Sequence, residues 1–260
     1  MSTALAVVLA AGFAAAGWRA GALSGTGALA ATFVGTAILT GAGWPGAAVL
    51  GAFFVSSSVV SRVRPPAPPV GDAKGDRRDH WQVLANGGPA ALGALLARDQ
   101  PTLALWTTTA SLAAAAADTW ATSIGAWSRS VPRHLLTGRP VPPGTSGGIT
   151  PYGCLGAAAG ALLVAGTGVL AGHDPRLWAF AAIGFGGMIV DSALGAAAQG
   201  RFRCVACGEP SEWQVHGCGA VTIHEGGWRW LDNDGVNGLA TTLAALAGWA
   251  SWAWLSVGWR

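Results

Sequence analysis

Long apolar stretches alternate with short polar ones along the chain, and this pattern predicts a bundle of membrane-spanning helices. A spanning helix needs about 20 mostly apolar residues. Eight stretches approach this length, at about 2–17, 23–40, 44–61, 82–97, 102–118, 153–172, 177–198 and 236–257. Polar and helix-breaking residues interrupt the fourth (Asn86, Gly87, Gly88 and Pro89), which leaves a re-entrant segment as the alternative. We therefore expect an all-α polytopic fold of seven or eight spans, with residues 1–260 forming a single transmembrane domain.

Composition supports a membrane protein. Hydrophobic residues make up 52% of the chain and charged residues 10%, whereas soluble domains carry roughly 25% charged residues. A soluble chain of this length would need more charge to cover its surface. The net charge of +3 is too small to indicate a nucleic-acid partner, and composition says nothing of oligomeric state.

Basic residues concentrate in alternate loops, and this predicts the orientation. With eight spans and the N-terminus outside, one side receives Arg19, the Arg62–Arg78 group, Arg129, Arg133, Arg139, Arg201, Arg203 and Arg229. The opposite side receives only Arg98, Arg176 and Arg260. Since positive loops stay in the cytoplasm, the 62–80, 119–152 and 199–235 loops are expected to be cytoplasmic, in the inner cell membrane.

Five polar clusters fall on that same side. They read RRDHWQVLANGG (77–88), ADTWATSIG (117–125), LLTGRPVPPGTSGGITPYG (135–153), DSALGAAAQ (191–199) and WLDNDGVNG (230–238). Such a distribution predicts an active site at the cytoplasmic interface.

Aspartates in three of these clusters are candidate Mg²⁺ ligands: Asp118, Asp191 and Asp234. Mg²⁺ prefers oxygen ligands and binds through one or two carboxylates together with phosphate oxygens. Asp191 lies inside an apolar stretch, where ionisable residues are usually functional. An interfacial cap is the alternative for Asp118. Polar residues near these aspartates are candidate substrate contacts: Thr122, Ser123, Gln199 and Asn237.

The Gly-rich loop of the third cluster is a candidate phosphate site. Its residues Gly144, Thr145, Ser146, Gly147 and Gly148 offer accessible N–H groups and hydroxyls, as in an anion-binding nest. Arg139 precedes it. The loop is not a Walker A motif, because no Gly-Lys-Ser/Thr follows, and an ordinary tight turn is the alternative.

The first cluster offers a further phosphate contact. Asp79, Gln82 and Asn86 share one face of a predicted helix, and Arg78 lies beside them. Arg78 and Asp79 are candidate catalytic residues, and Gln82 and Asn86 are candidate phosphate contacts. The alternative is a basic anchor at the membrane surface.

Four soft ligands lie in the 199–235 insert: Cys204, Cys207, His216 and Cys218. The spacing fits a structural zinc knuckle in a small Cys-rich cytoplasmic loop, where thiols stay reduced. Coincidental spacing is the alternative.

The five clusters, in their order, resemble the DUF92 family of integral membrane proteins related to transmembrane protein 19. The resemblance runs from about residue 75 to 240, and the Cys-rich insert departs from it. The best-understood branch of the family is phytyl-phosphate kinase. Similarity to it implies an enzyme, a Mg²⁺-dependent kinase that transfers a phosphoryl group from CTP or another nucleoside triphosphate to a prenyl monophosphate, such as phytyl or geranylgeranyl phosphate. A membrane cytidylyltransferase acting on a lipid phosphate and a small-molecule transporter stay open as alternatives.

Overall fold

The computed structural model describes residues 2–65 and 77–257, in which seven helices form a bundle. The helices are α1 (Thr3–Arg19), α2 (Gly25–Val63), α3 (His80–Leu96), α4 (Pro101–Gly125), α5 (Pro151–Gly172), α6 (Ala179–Ala197) and α7 (Asn233–Val257). A 3₁₀ turn, Pro175–Trp178, precedes α6. Most of the predicted 62–80 loop and Arg260 lie outside the described residues.

Helix α2 is folded back on itself at Gly43, where the backbone has φ 62° and ψ −154°. A Cβ atom on Gly35 would lie 3.9 Å from Leu50, on the other side of Gly43. In a straight helix the two residues would be about 22 Å apart. The second and third predicted stretches are therefore the two halves of α2, and all eight predicted stretches are helical.

Among the described residues, three helical segments are long and apolar enough to cross a membrane by length and composition. They are Gly25–Val63, Pro151–Gly172 and Pro175–Ala197. This supports an integral membrane protein, while seven or eight spans and the sidedness of the loops stay predictions.

The fourth predicted stretch forms helix α3. We expected this stretch to be broken, but the helix is continuous through Pro89. Proline lacks the N–H that would bond the carbonyl four residues earlier. That carbonyl belongs to Ala85, and the Thr241 hydroxyl of α7 donates to it at 2.7 Å. A neighbouring helix thus satisfies the freed group. At the start of α3, the Asp79 carboxylate accepts from the Gln82 N–H at 2.9 Å.

Helix α4 forms the centre of the bundle, with every residue from Leu103 to Ala117 buried. Alanines and threonines dominate this stretch, and small residues allow neighbouring helices to approach closely. A Cβ atom on Gly187 would lie 2.5 Å from Ala114, and one on Gly160 would lie 2.9 Å from the Ala116 carbonyl oxygen. The glycines of α5 and α6 are therefore needed for the packing against α4.

Contacts at two levels of α4 fix the helix directions. Trp106 packs against Phe180 and Ala114 against Gly187, so α6 runs parallel to α4. Helices α3, α5 and α7 run antiparallel to it, as judged from the pairs Gly93–Thr107, Gly238–Ala85, Gly160–Ala116, Gly172–Leu105, Gly248–Ala110 and Gly187–Ala244. The ends of α4 and α6 and the starts of α3, α5 and α7 thus lie together, at what is called here the site end.

Short strands occupy the loops at the site end. Strands β1 (Arg133–His134) and β2 (Gly148–Ile149) form a two-stranded antiparallel ladder. Strands β3 (Arg201–Cys204), β4 (Pro210–Ser211) and β5 (Thr222–Gly226) form a three-stranded sheet of order β4-β3-β5. The all-α description applies to the bundle, while the predicted 199–235 insert contains a small sheet.

Candidate active site

A pair of aspartates lies between α4 and α6. The carboxyl groups of Asp118 and Asp191 lie close enough together to interact directly. The parallel packing explains this, because Ala114 and Gly187, one turn earlier on each helix, also touch. Since α4 continues to Gly125, the pair lies about 10 Å inside the site end. Asp118 is therefore an interior helical residue, not a cap.

The pair is chemically unusual because two carboxylates in contact repel unless a proton or a cation lies between them. One oxygen of Asp191, Oδ2, is buried and has no hydrogen-bond partner among the described residues. Oxygen ligands of this kind suit a hard divalent cation, which accepts one or two carboxylates and fills its other positions with water or phosphate. The geometry therefore fits either a shared proton or a bound divalent cation.

The structure does not bring Asp234 into this pair. Ala244 lies beside Gly187, and counting helical rise from that level places Asp234 about 9 Å nearer the site end than Asp118. Within residues 2–65 and 77–257, no three carboxylates converge as a metal site. Direct binding of one Mg²⁺ by all three predicted aspartates is thus not supported. Asn237 is one turn closer to the pair, and its Oδ1 is buried without a hydrogen bond in the described structure.

The Gly-rich loop lies against the last turns of α6, beside the pair. A Cβ atom on Gly147, where φ is +76°, would lie 2.4 Å from the Ala196 Cβ and 2.8 Å from the Ser192 carbonyl oxygen. Only glycine permits both the backbone conformation and this approach. The N–H groups of Ser146 and Gly147 donate no hydrogen bond to any described residue. The structure therefore places the predicted loop on α6, about one helical turn from Asp191.

Glu212 also lies at this loop, although the sequence analysis did not single it out. Its Oε1 accepts from the Gln199 amide at 2.9 Å and from the Ser146 hydroxyl at 3.3 Å. Gln199 is only 1% exposed. Glu212 belongs to the Cys-rich insert, and no periodicity or motif in the sequence connects it to the loop.

The remaining candidate residues of the loop and of α4 differ in their surroundings. The Thr145 hydroxyl donates to the Pro142 carbonyl at 2.8 Å. The Ser123 hydroxyl is buried 3.4 Å from that of Ser61. Thr122 and Arg139 are exposed. Of these four, only Thr145 belongs to the loop that contacts α6.

Residues of the first cluster contact α2, the turn before it and their own helix α3. The backbone N–H of Arg78 donates to the Ala22 carbonyl, and its guanidinium lies 5.7 Å and 5.6 Å from the ring centroids of Phe53 and Phe54. Burial lowers the pKa of Arg78 to about 10. The Asn86 amide donates to the Gln82 carbonyl at 2.9 Å. No described hydrogen bond or ion pair connects these residues or Asp79 to the carboxyl pair.

The four predicted zinc ligands converge. The ligand atoms of Cys204, Cys207, His216 and Cys218 all lie within 4.8 Å of one another. Backbone hydrogen bonds from Cys207 and Ala206 lower the pKa of the Cys204 thiol to about 6, which favours the thiolate that metals bind. The remaining cysteine, Cys154, lies in α5 and outside this group.

Comparison with known proteins places the chain in a family. Residues 8–245 match the family described as "Integral membrane protein DUF92". The chain belongs to the DUF92 family. This DUF92 protein is also 32% identical, over 175 residues, to an uncharacterized membrane protein of Methanocaldococcus jannaschii, an alignment that covers 67% of this chain and 74% of the relative. No solved structure matches the sequence. These relatives establish an integral membrane protein and name no reaction.

Proposed function

We propose that this DUF92 protein is a Mg²⁺-dependent kinase of a prenyl monophosphate, working at the cytoplasmic face of the cell membrane with CTP as the expected donor. The observation that carries the proposal is the Asp118–Asp191 pair between α4 and α6, close to the 144–148 loop. The choice of substrate rests on the resemblance to the phytyl-phosphate kinase branch, for which phytyl and geranylgeranyl phosphate are the expected acceptors.

Transfer between two phosphates requires the neutralisation of several negative charges, and positioning with electrostatic stabilisation supplies most of the catalysis. Asp118 and Asp191 would hold Mg²⁺, which binds phosphate oxygens and neutralises their charge. The N–H groups of Ser146 and Gly147 lie one to two turns along α6 from Asp191 and can donate to a phosphate. Because the acceptor is already an anion, the reaction needs no strong general base.

A lipid acceptor would reach the site end from the membrane interface. An open depression between the end of α4 and the start of α5 is lined by residues that include Trp127, Arg129 and Tyr152. Aromatic and basic residues are typical of the membrane interface. A prenyl phosphate can therefore place its headgroup at this level while its tail stays against apolar helix faces.

The test is incubation of the purified protein with Mg²⁺, labelled CTP and geranylgeranyl phosphate. A kinase yields CDP and prenyl diphosphate. A cytidylyltransferase yields pyrophosphate and a CDP-linked lipid, and a transporter yields neither product. Release of pyrophosphate, or no turnover with CTP, ATP, GTP or UTP, would reject the kinase proposal.

A further inference from the structure

The Cys-rich insert has too small a core to explain its order. Its central part, residues 201–230, is about 30 residues long, and chains below about 40 residues usually need a metal or disulfides to fold on their own. The buried side chains in residues 201–230 are Phe202, Cys204 and Ser211. All its cysteines are free thiols. A bound metal ion would add stability to so small a core.

The distances among the four ligand atoms fit tetrahedral zinc. With Zn–S near 2.3 Å and Zn–N near 2.0 Å, such a site has S···S edges of about 3.8 Å and S···N edges of about 3.5 Å. The observed separations are 3.5 Å for Cys204 Sγ to Cys218 Sγ, 3.5 Å for Cys207 Sγ to His216 Nδ1 and 3.1 Å for His216 Nδ1 to Cys218 Sγ. The four atoms surround a volume of the size of one ion.

Each ligand pair sits on a tight turn that ends in glycine. Gly208 follows Cys207 with φ +74°, and Gly219 follows Cys218 with φ +84°. The Gly208 N–H donates to the Cys204 carbonyl at 3.0 Å, and the Gly219 N–H donates to the His216 carbonyl at 2.8 Å. The first hydrogen bond spans four residues and the second three, so the turns differ in size, but each closes around its own ligand pair and the four ligand atoms converge.

The same sheet reaches the proposed phosphate loop. Cys204 ends β3, which pairs with β4, and Glu212 follows β4 directly. Glu212 accepts from Ser146 and Gln199. At the other edge, the Trp228 N–H, just beyond β5, donates to the Ala198 carbonyl at 2.8 Å. The insert is therefore attached at both edges to the end of α6.

We propose that Cys204, Cys207, His216 and Cys218 bind one Zn²⁺, and that this ion holds Glu212 against Ser146 and Gln199, so that zinc fixes the position of the 144–148 loop. The proposal concerns a metal site and a loop contact. Neither test below measures turnover, so the zinc site can be tested separately from the proposed kinase activity.

The first test is metal analysis of the full-length protein purified without chelator. We expect about one zinc per chain, its loss in Cys207→Ser, and its retention in Cys154→Ser. Because Cys207→Ser can fail to fold, cobalt exchange into the wild-type protein provides a second measurement. Thiolate-to-cobalt charge-transfer absorption with a tetrahedral spectrum is expected. A wild-type protein without zinc and without this absorption on cobalt addition would overturn the metal site.

The second test measures amide hydrogen exchange of residues 144–148. Hydrogen bonds to charged groups contribute enough stability that loss of Glu212 should raise exchange about tenfold or more. We expect this rise in Glu212→Ala and after zinc removal, and no rise in Glu209→Ala, a change in the same insert that leaves the loop contact intact. Unchanged exchange in both Glu212→Ala and the zinc-free protein would overturn the coupling, even with zinc bound.

Discussion

Alanine at position 147 should undock the Gly-rich loop, whereas alanine at position 144 should only strain it. Both glycines have positive φ, +76° and +85° respectively, so an alanine at either costs about 1–2 kcal/mol. Only Gly147 is in contact with α6, where the new Cβ would lie 2.4 Å from Ala196 and 2.8 Å from the Ser192 carbonyl. Overpacking of this kind should lower the stability of Gly147→Ala by about 1–3 kcal/mol more. Around Gly144, no atom lies within 4 Å of such a Cβ.

Unfolding and hydrogen exchange measure this difference. In detergent, tryptophan fluorescence should show Gly147→Ala less stable than Gly144→Ala by about 1–3 kcal/mol. If the loop undocks without unfolding the bundle, the same difference should appear as faster exchange of residues 144–148. Equal unfolding free energies together with equal exchange for the two variants would refute the reasoning that the loop is docked on α6 through Gly147.

Three further predictions concern the bundle. Thr241→Val should lower the unfolding free energy by about 1–2 kcal/mol because it leaves the carbonyl freed by Pro89 unsatisfied. Thr242→Val should lower the unfolding free energy less, since the Thr242 hydroxyl donates to the Gly238 carbonyl of its own helix. Equal losses for the two variants in denaturant titrations would contradict this. Asp79 caps the start of α3, so Asp79→Ala should lower the unfolding free energy by about 1 kcal/mol and Asp79→Asn should leave it almost unchanged. A large loss of stability in Asp79→Asn would show that the charge has another function. Trp106→Phe removes the indole hydrogen bond to Asp174 and should cost about 1 kcal/mol in the same titration, so an unchanged midpoint would count against that bond.

The sequence predicted the helical stretches well because apolar runs and glycine-rich faces are local signals. The fold-back at Gly43 was also visible, since the second and third stretches flank that position. The continuity of α3 was not visible in the sequence, because the residue that satisfies the carbonyl freed by Pro89 is Thr241, more than 150 residues away. Its position depends on tertiary packing.

The candidate site shows the same limit. Asp118, Asp191 and Asp234 were predicted to help hold Mg²⁺ together. The proximity of Asp118 and Asp191 depends on α4 and α6 running parallel, and the antiparallel direction of α7 places Asp234 nearer the site end. Helix directions of this kind are set by tertiary packing. Glu212 was missed because the insert folds into a sheet before it reaches the loop, and no local pattern reports such a contact.

The most direct test of the proposed function is the Mg²⁺ dependence of turnover in Asp118→Asn, measured with CTP and geranylgeranyl phosphate. Asp174→Asn is the matched control, because Asp174 pairs with Arg176 at the opposite end of the bundle. Removal of even an outer-shell partner lowers metal-site activity about 10–100-fold, so loss of a ligand should cost at least about 100-fold, with folding preserved and with partial recovery at high Mg²⁺. The control should keep near-normal turnover. Near-normal turnover by a folded Asp118→Asn protein, at limiting as well as saturating Mg²⁺, would contradict the assignment of the carboxyl pair.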